Sequence, residues 1–218
     1  MSIFKNKIDS TYVIAEAGIN HNGSLRRALD LVEKAKNSGA DAIKFQLFNI
    51  NEQISEDTKT APYQNKNTNQ KSMKKMALSY DLPLSAHKKI KDKCDKLNID
   101  YMASCFDYES VDFIKDKLQI DYVKIASGEI TNINLLKYIS KKINTVLLST
   151  GMSDLNEINT ALSILKKNKK IKIAILHCVS LYPTKDKLLN LNFLKTLSKK
   201  YNHILGFSDH TVGYDAAK

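Results

Sequence analysis

Seven short runs of mostly apolar, often β-branched residues recur along the chain, at residues 12–16, 42–46, 100–104, 122–126, 145–149, 172–177 and 204–208. Most are apolar at consecutive positions, as expected for parallel strands covered on both faces. Between them the period changes to that of helices. Leu25, Ala28, Leu29, Val32 and Ala35 form one apolar stripe, with Ser24 placed to cap its start and Gly39 to end it. Asp154 and Glu157 have capping-box spacing and open a predicted helix over 155–167, on which Ile158, Leu162 and Leu165 share a face. Segments 110–118, 135–142 and 191–200 fill further crossovers. Seven such units in series predict an α/β fold, a (β/α)8 TIM barrel truncated before its eighth strand and spanning 1–218 as one incomplete catalytic domain. An open seven-stranded sheet is the competing architecture.

One connection breaks the rhythm. The gap from Gln46 to Asp100 is about twice the others, and its first half, NINEQISEDTKTAPYQNKNTNQ, is polar with little periodicity. A long loop of this kind predicts a lid over the barrel mouth, with a disordered insertion as the alternative.

With 43% hydrophobic residues in 218, the chain can bury a large core, so one large domain is expected. No run approaches the ~20 apolar residues of a membrane span, and the start MSIFKNKIDS lacks the apolar centre of a signal peptide. A cytoplasmic protein without a membrane partner is the expectation. Cys94, Cys105 and Cys178 have no metal-ligand spacing and predict reduced thiols. The net charge of +11 raises nucleic acid as a partner, but Arg26 and Arg27 are the only arginines among 34 basic residues. Base and phosphate recognition favours arginine, and the lysine runs KKIKDKCDK and KKNKKIK read as solvated helix faces, so no nucleic-acid partner is expected. The excess charge can still steer an anionic substrate.

The apolar runs end in residues able to hold charge or hydrogen-bond: Glu16, Gln46, Ser104, Ser127, Ser149, His177 and Ser208. A parallel barrel gathers such strand ends around one pocket, which predicts an enzyme. Lys44 and Lys124 lie inside apolar strands, and a buried ammonium needs a counter-anion or a depressed pKa. Together they predict an anion site, with hydroxyls of Ser104, Ser127, Ser149, Ser180 and Ser208 completing its cradle. In AEAGINHNG, Glu16 can serve as acid, base or metal ligand, with a helix-capping or loop-bracing role as the alternative, and His21 lies in the loop that follows. His177 and His210 are candidate metal ligands or acid–base groups, with a structural histidine as the alternative. Asp209 can donate a second ligand or cap the next helix.

YVIAEAGINHNG, AIKFQ, YVKIASGEITN, LLSTGMSDLNEI, ILHCVSLYPT and GFSDHT run in order from about Tyr12 to Tyr214, one motif per strand. Together they resemble the N-acetylneuraminate (sialic acid) synthase family, which includes legionaminate synthases. The resemblance implies a metal-dependent transferase that condenses phosphoenolpyruvate with an N-acetylmannosamine-type sugar and releases phosphate. It implies a TIM barrel followed by an antifreeze-like domain, which is absent from this chain, and a homodimer at full length. By motif, Lys44, Ser104, Lys124, Ser127, Ser149, Ser180 and Ser208 resemble the phosphoenolpyruvate cradle, and Glu16 and Glu129 the catalytic carboxylates. Gln46, Tyr182 and residues 63–68 match sugar contacts, and His210 matches a ligand of a divalent metal, Mn or Mg. The family's second metal-binding histidine, at the end of strand eight, and a partner-supplied arginine are not in this chain. APYQNKNT resembles neuraminate and legionaminate synthases more than pseudaminate synthases. The acceptor is expected to be N-acetylmannosamine, giving N-acetylneuraminate, or else 2,4-diacetamido-2,4,6-trideoxymannose, giving N,N'-diacetyllegionaminate. A Schiff-base pyruvate lyase using Lys124 and a non-catalytic sugar-binding barrel are the readings from other classes.

Overall fold

The computed structural model describes residues 11–217. The chain divides into two compact units, residues 1–120 and 121–218. All strand pairs described below are parallel.

In the first unit β1 (Ile14–Gly18), β2 (Ala42–Leu47) and β3 (Asp100–Cys105) follow one another in chain order. Register pairs Glu16 with Lys44 and Gln46 with Ser104. Because side chains alternate across a strand, Glu16, Lys44, Gln46 and Ser104 share one face, while Phe45 and Tyr101 belong to the other. On that other face the Phe45 and Tyr101 rings stack at 5.7 Å, and His87 of α5 (Leu84–Leu97) packs edge-on against both. Helix α1 (Leu25–Asn37) packs beside α5. Ser24 caps α1 through the Arg27 N–H, Ala28, Val32 and Ala35 are its buried stripe, and Gly39 follows the helix with φ +82°, as expected from sequence. Strand β1 starts two residues later than expected, at Ile14, because the Val13 N–H bonds the Asp41 carboxylate.

The polar stretch expected to be a lid without regular structure is instead helical. It holds α2 (Ile50–Gln53) and α3 (Pro62–Thr68), followed by α4 (Met73–Tyr80), with an antiparallel bridge between Lys59 and Ser72. Local capping replaces the missing apolar period. The Asn49 side chain accepts the Asn51 N–H, Pro62 opens α3, Gln64 accepts the Ala61 N–H, and left-handed Asn69 ends that helix. The expected helix over 110–118 is α6 (Tyr108–Asp112) continued by a π-helical turn, Phe113–Lys117, and begins earlier because Asp107 caps it through the Ser110 N–H.

The second unit carries β4 (Tyr122–Ile125), β5 (Thr145–Ser149), β6 (Lys172–His177) and β7 (Ile204–Phe207), again in chain order. Pairing of Lys124 with Leu147, Ser149 with Leu176 and Leu176 with Gly206 puts Lys124, Ser149 and Leu176 on one face. The connecting helices are α7 (Ile133–Lys142), α8 (Leu155–Leu165) and α9 (Phe193–Lys200). Asp154 and Glu157 form the expected reciprocal capping box on α8, which ends at Leu165, two residues short of expectation. Among the described residues no helix is long and apolar enough to cross a membrane.

Candidate functional site

Strand ends in each unit carry a cluster of polar side chains. In the first unit the Glu16 carboxylate pairs with the Lys44 ammonium across the β1–β2 register. Lys44 is 7% exposed, whereas the Glu16 side chain is 52% exposed, so a buried cation meets a carboxylate that keeps contact with solvent. That pairing meets the requirement that a buried ammonium have a counter-anion. Gly18, with φ +50°, leaves room at the same place: a Cβ there would sit 3.4 Å from Glu16 Oε1 and 4.0 Å from Gln46 Nε2. Ser104 is buried opposite Gln46. Of the expected sugar-contact segment 63–68, the side chains of Tyr63 and Asn67 lie outside the described residues.

His21 holds its loop. Its Nδ1 accepts the Gly23 N–H at 3.2 Å, and its buried ring lies 6.2 Å from Phe45, on the face opposite Lys44. Burial lowers its pKa. Next to it, burial and then the neighbouring His21 take His87 from 6.5 down to about 4, and the Tyr101 hydroxyl lies 2.9 Å from His87 Nδ1.

In the second unit Lys124 is 8% exposed within β4. The chain then makes one 3₁₀ turn, Ser127–Glu129, and the Ser127 hydroxyl lies 2.9 Å from that of Ser180, which follows β6. Glu129 accepts from the Asn132 side chain at 2.8 Å and stays partly exposed. Ser149, at the end of β5, is fully buried and its hydroxyl has no hydrogen-bond partner. Ser208 lies one residue past β7, its N–H bonded to the His177 carbonyl at 2.8 Å.

His210 is held on two sides. Its Nδ1 lies 2.6 Å from the Val179 carbonyl, which can only accept, so Nδ1 carries the hydrogen and a neutral ring keeps its lone pair on Nε2. Nε2 lies 3.2 Å from the Tyr182 hydroxyl, and the two rings are 4.2 Å apart. A carbonyl accepting from the distal nitrogen is how metal-binding histidines are commonly oriented, so His210 suits one ligand of a divalent ion. Among the described residues no three His, Cys, Asp or Glu side chains gather into a ready-made metal centre.

At His177 and Asp209 the structure shows the structural alternative among the expected roles. His177 is buried against the rings of Phe193 and Phe207, with Nε2 2.8 Å from the Leu189 carbonyl. It follows Leu176 in β6, so it points to the face opposite Ser149 and is structural. Asp209 accepts from the Thr211 N–H and hydroxyl at 2.9 and 3.1 Å, so both its carboxylate oxygens brace the turn after β7. Sequence reasoning also missed Asn132, the partner of Glu129, and Gly151, against which Ser180 closes. The signal for Gly151 was a glycine two residues after the strand-end serine in STGMS. The thiols are free and buried, with burial pushing Cys94 up to about 12 and raising Cys105 as well.

The NeuB family profile matches residues 31–218. The chain is 44% identical over 206 residues to an N,N'-diacetyllegionaminic acid synthase of Campylobacter jejuni, covering 93% of this chain and 61% of that one. To the N,N'-diacetyllegionaminic acid synthase of Legionella pneumophila it is 37% identical over 207 residues, covering 93% and 58%. The crystal structure of the N-acetylneuraminic acid (sialic acid) synthetase of Leptospira borgpetersenii, in complex with citrate, matches with a TM-score of 0.83 at 34% identity, over 95% of this chain and 68% of that one. The chain thus spans about 60% of the length of the two curated relatives.

Proposed function

Since the chain belongs to the NeuB family, we propose that it carries substrate-binding and catalytic residues of a nonulosonic acid synthase. The reaction joins phosphoenolpyruvate to the aldehyde carbon of an N-acetylmannosamine-type sugar and releases phosphate. The observation that carries the reading is Ser149: a fully buried hydroxyl without a partner, at the end of a strand whose neighbour holds buried Lys124 on the same face. An unbonded buried hydroxyl beside a buried cation suits an anionic ligand that supplies the missing acceptor. The (β/α)8 barrel is part of this proposal, supported by the parallel β units in chain order and by the likeness to the Leptospira synthetase.

Lys124, Ser127, Ser149, Ser180 and Ser208 of the second unit would hold the phosphate and carboxylate of phosphoenolpyruvate; Lys44 and Ser104 of the first unit match the same cradle by motif. Carbon–carbon bond formation at C3 of phosphoenolpyruvate leaves positive character at C2, and water then adds there before phosphate departs. Glu16 and Glu129 are carboxylates suited to stabilise that cation and to take the proton of the water. Asn132 would orient Glu129. Gln46 and Tyr182 would contact the sugar, and His210 would hold a divalent metal, Mn or Mg. Bound there, such an ion supplies Lewis-acid polarisation of the sugar aldehyde.

For the acceptor, 2,4-diacetamido-2,4,6-trideoxymannose is favoured over N-acetylmannosamine, because both curated relatives described above are N,N'-diacetyllegionaminic acid synthases. The test is phosphate release by the full-length protein from phosphoenolpyruvate with each sugar, with divalent metal added or chelated. Release dependent on one sugar identifies the acceptor. No release with either sugar, together with a borohydride-trapped pyruvate adduct on Lys124, would replace the proposal with a Schiff-base lyase.

A further inference from the structure

We propose that Gly151 is a positioning residue of the anion site: the missing side chain at this position keeps the Ser180 hydroxyl on Ser127. The inference rests on the phosphoenolpyruvate reading above. A Cβ at Gly151 would lie 2.3 Å from Ser180 Oγ, 2.8 Å from Cys178 Sγ and 3.2 Å from the Cys178 carbonyl. Gly151 is not among the residues with positive φ; the following residue, Met152, takes that conformation at φ +61°. Glycine is therefore required here for space and not for backbone freedom.

The backbone has little room to retreat. The N–H and hydroxyl of Thr150 both donate to the Leu176 carbonyl, at 3.0 and 3.1 Å, fastening the end of β5 to β6. The 3.2 Å approach to the Cys178 carbonyl asks for a shift of only a few tenths of an ångström. The two shorter contacts must be relieved by side chains, and Ser180 Oγ and Cys178 Sγ are each one χ1 rotation from relief. An alanine at 151 would therefore be accommodated by turning Ser180 away, which breaks its 2.9 Å bond to Ser127. The broken bond matters because a hydroxyl has one hydrogen. When one serine donates to the other, the acceptor's own hydrogen is left, oriented, for a ligand. Two residues before Gly151, the buried hydroxyl of Ser149 adds a second unengaged donor at the end of the same strand.

The experiment uses full-length protein and compares wild type, G151A, S180A and G151A/S180A in phosphoenolpyruvate affinity, KM, kcat and melting temperature, with a crystal structure of G151A. The expected result is a folded G151A protein with the Ser127–Ser180 contact broken and KM for phosphoenolpyruvate raised about tenfold. The kcat should change far less, and the double variant should be no worse than S180A. If G151A does not fold, G151A/C178A removes the sulfur contact and leaves Ser180 as the side chain in the way. Wild-type affinity in G151A or G151A/C178A, or additive losses in the double variant, would overturn the positioning role alone. Failure of the wild type to bind phosphoenolpyruvate would overturn the functional reading and this inference with it.

Discussion

Replacing Ser149 with alanine separates a ligand-binding hydroxyl from a structural one, because the two roles predict opposite signs. The hydroxyl is fully buried and unbonded, a condition that costs about 1–3 kcal/mol in the free protein. Alanine removes the polar atom and leaves a void smaller than a methyl group, so S149A should stabilise the free protein by about 1–2 kcal/mol. For a chain of this size that corresponds to a melting temperature higher by about 2–8 °C. The same substitution removes a hydrogen bond to an anion, which contributes about 1.5–3 kcal/mol, so phosphoenolpyruvate should bind about 10- to 100-fold more weakly. Thermal melts of the full-length protein with and without phosphoenolpyruvate, together with a calorimetric titration, measure both effects. A lower melting temperature with unchanged affinity would show a hydroxyl that braces the fold, and would refute the reasoning.

E16Q removes the counter-charge of buried Lys44. Breaking a fully buried pair costs about 3–5 kcal/mol; with Glu16 half exposed, about 1–2 kcal/mol is expected, read as a lower melting temperature that K44M relieves in the double variant. For His87, burial holds the pKa near 4, so the unfolded chain takes up a proton that the folded protein refuses. Stability should be full above about pH 6.5 and decline towards pH 4, by up to about 3 kcal/mol, with the slope reduced in H87N in urea titrations across that range. D154A removes both side-chain acceptances at the start of α8 and should cost about 1 kcal/mol in chemical denaturation, with no effect on affinity for phosphoenolpyruvate. Y182F removes the hydroxyl facing His210 Nε2 and should alter Mn affinity, measured by calorimetry, without shifting the melting temperature of the metal-free protein by more than about 2 °C.

The elements legible in sequence were those fixed by short-range chemistry. Thr145–Ser149 and Lys172–His177 fall where the apolar runs put them, because each run is buried on both faces. Ser24 and Asp154 cap the helices expected of them, since a cap needs only its own next three residues. The stretch from Asn49 to Thr68 was misread for the converse reason. Its helices are one to two turns long, too short to display an apolar period, and are specified by Asn49, Pro62 and Gln64.

The side chains of the candidate site divide along a different line, between what alternation within one strand decides and what a partner far along the chain decides. Lys44, Gln46, Lys124 and Ser149 could be assigned a face by counting along their own strands. For His177 the count needs the β5–β6 register as well, which sets Leu176 beside Ser149 and His177 on the opposite face, packed against Phe193 and Phe207. His210 lies in a loop, where no period operates, and its tautomer is set by the Val179 carbonyl, 31 residues earlier. Ser180 is the same case: its place on Ser127, 53 residues away, depends on the empty space at Gly151. A one-dimensional reading can nominate a hydroxyl or an imidazole from its type and position, but the hydrogen left available to a ligand follows from contacts that only the folded chain makes. That is why Ser149 and Ser180, both nominated from sequence as hydroxyls of one cradle, carry different predictions: one hydroxyl is unengaged and should stabilise the protein when deleted, and the other is engaged and should not.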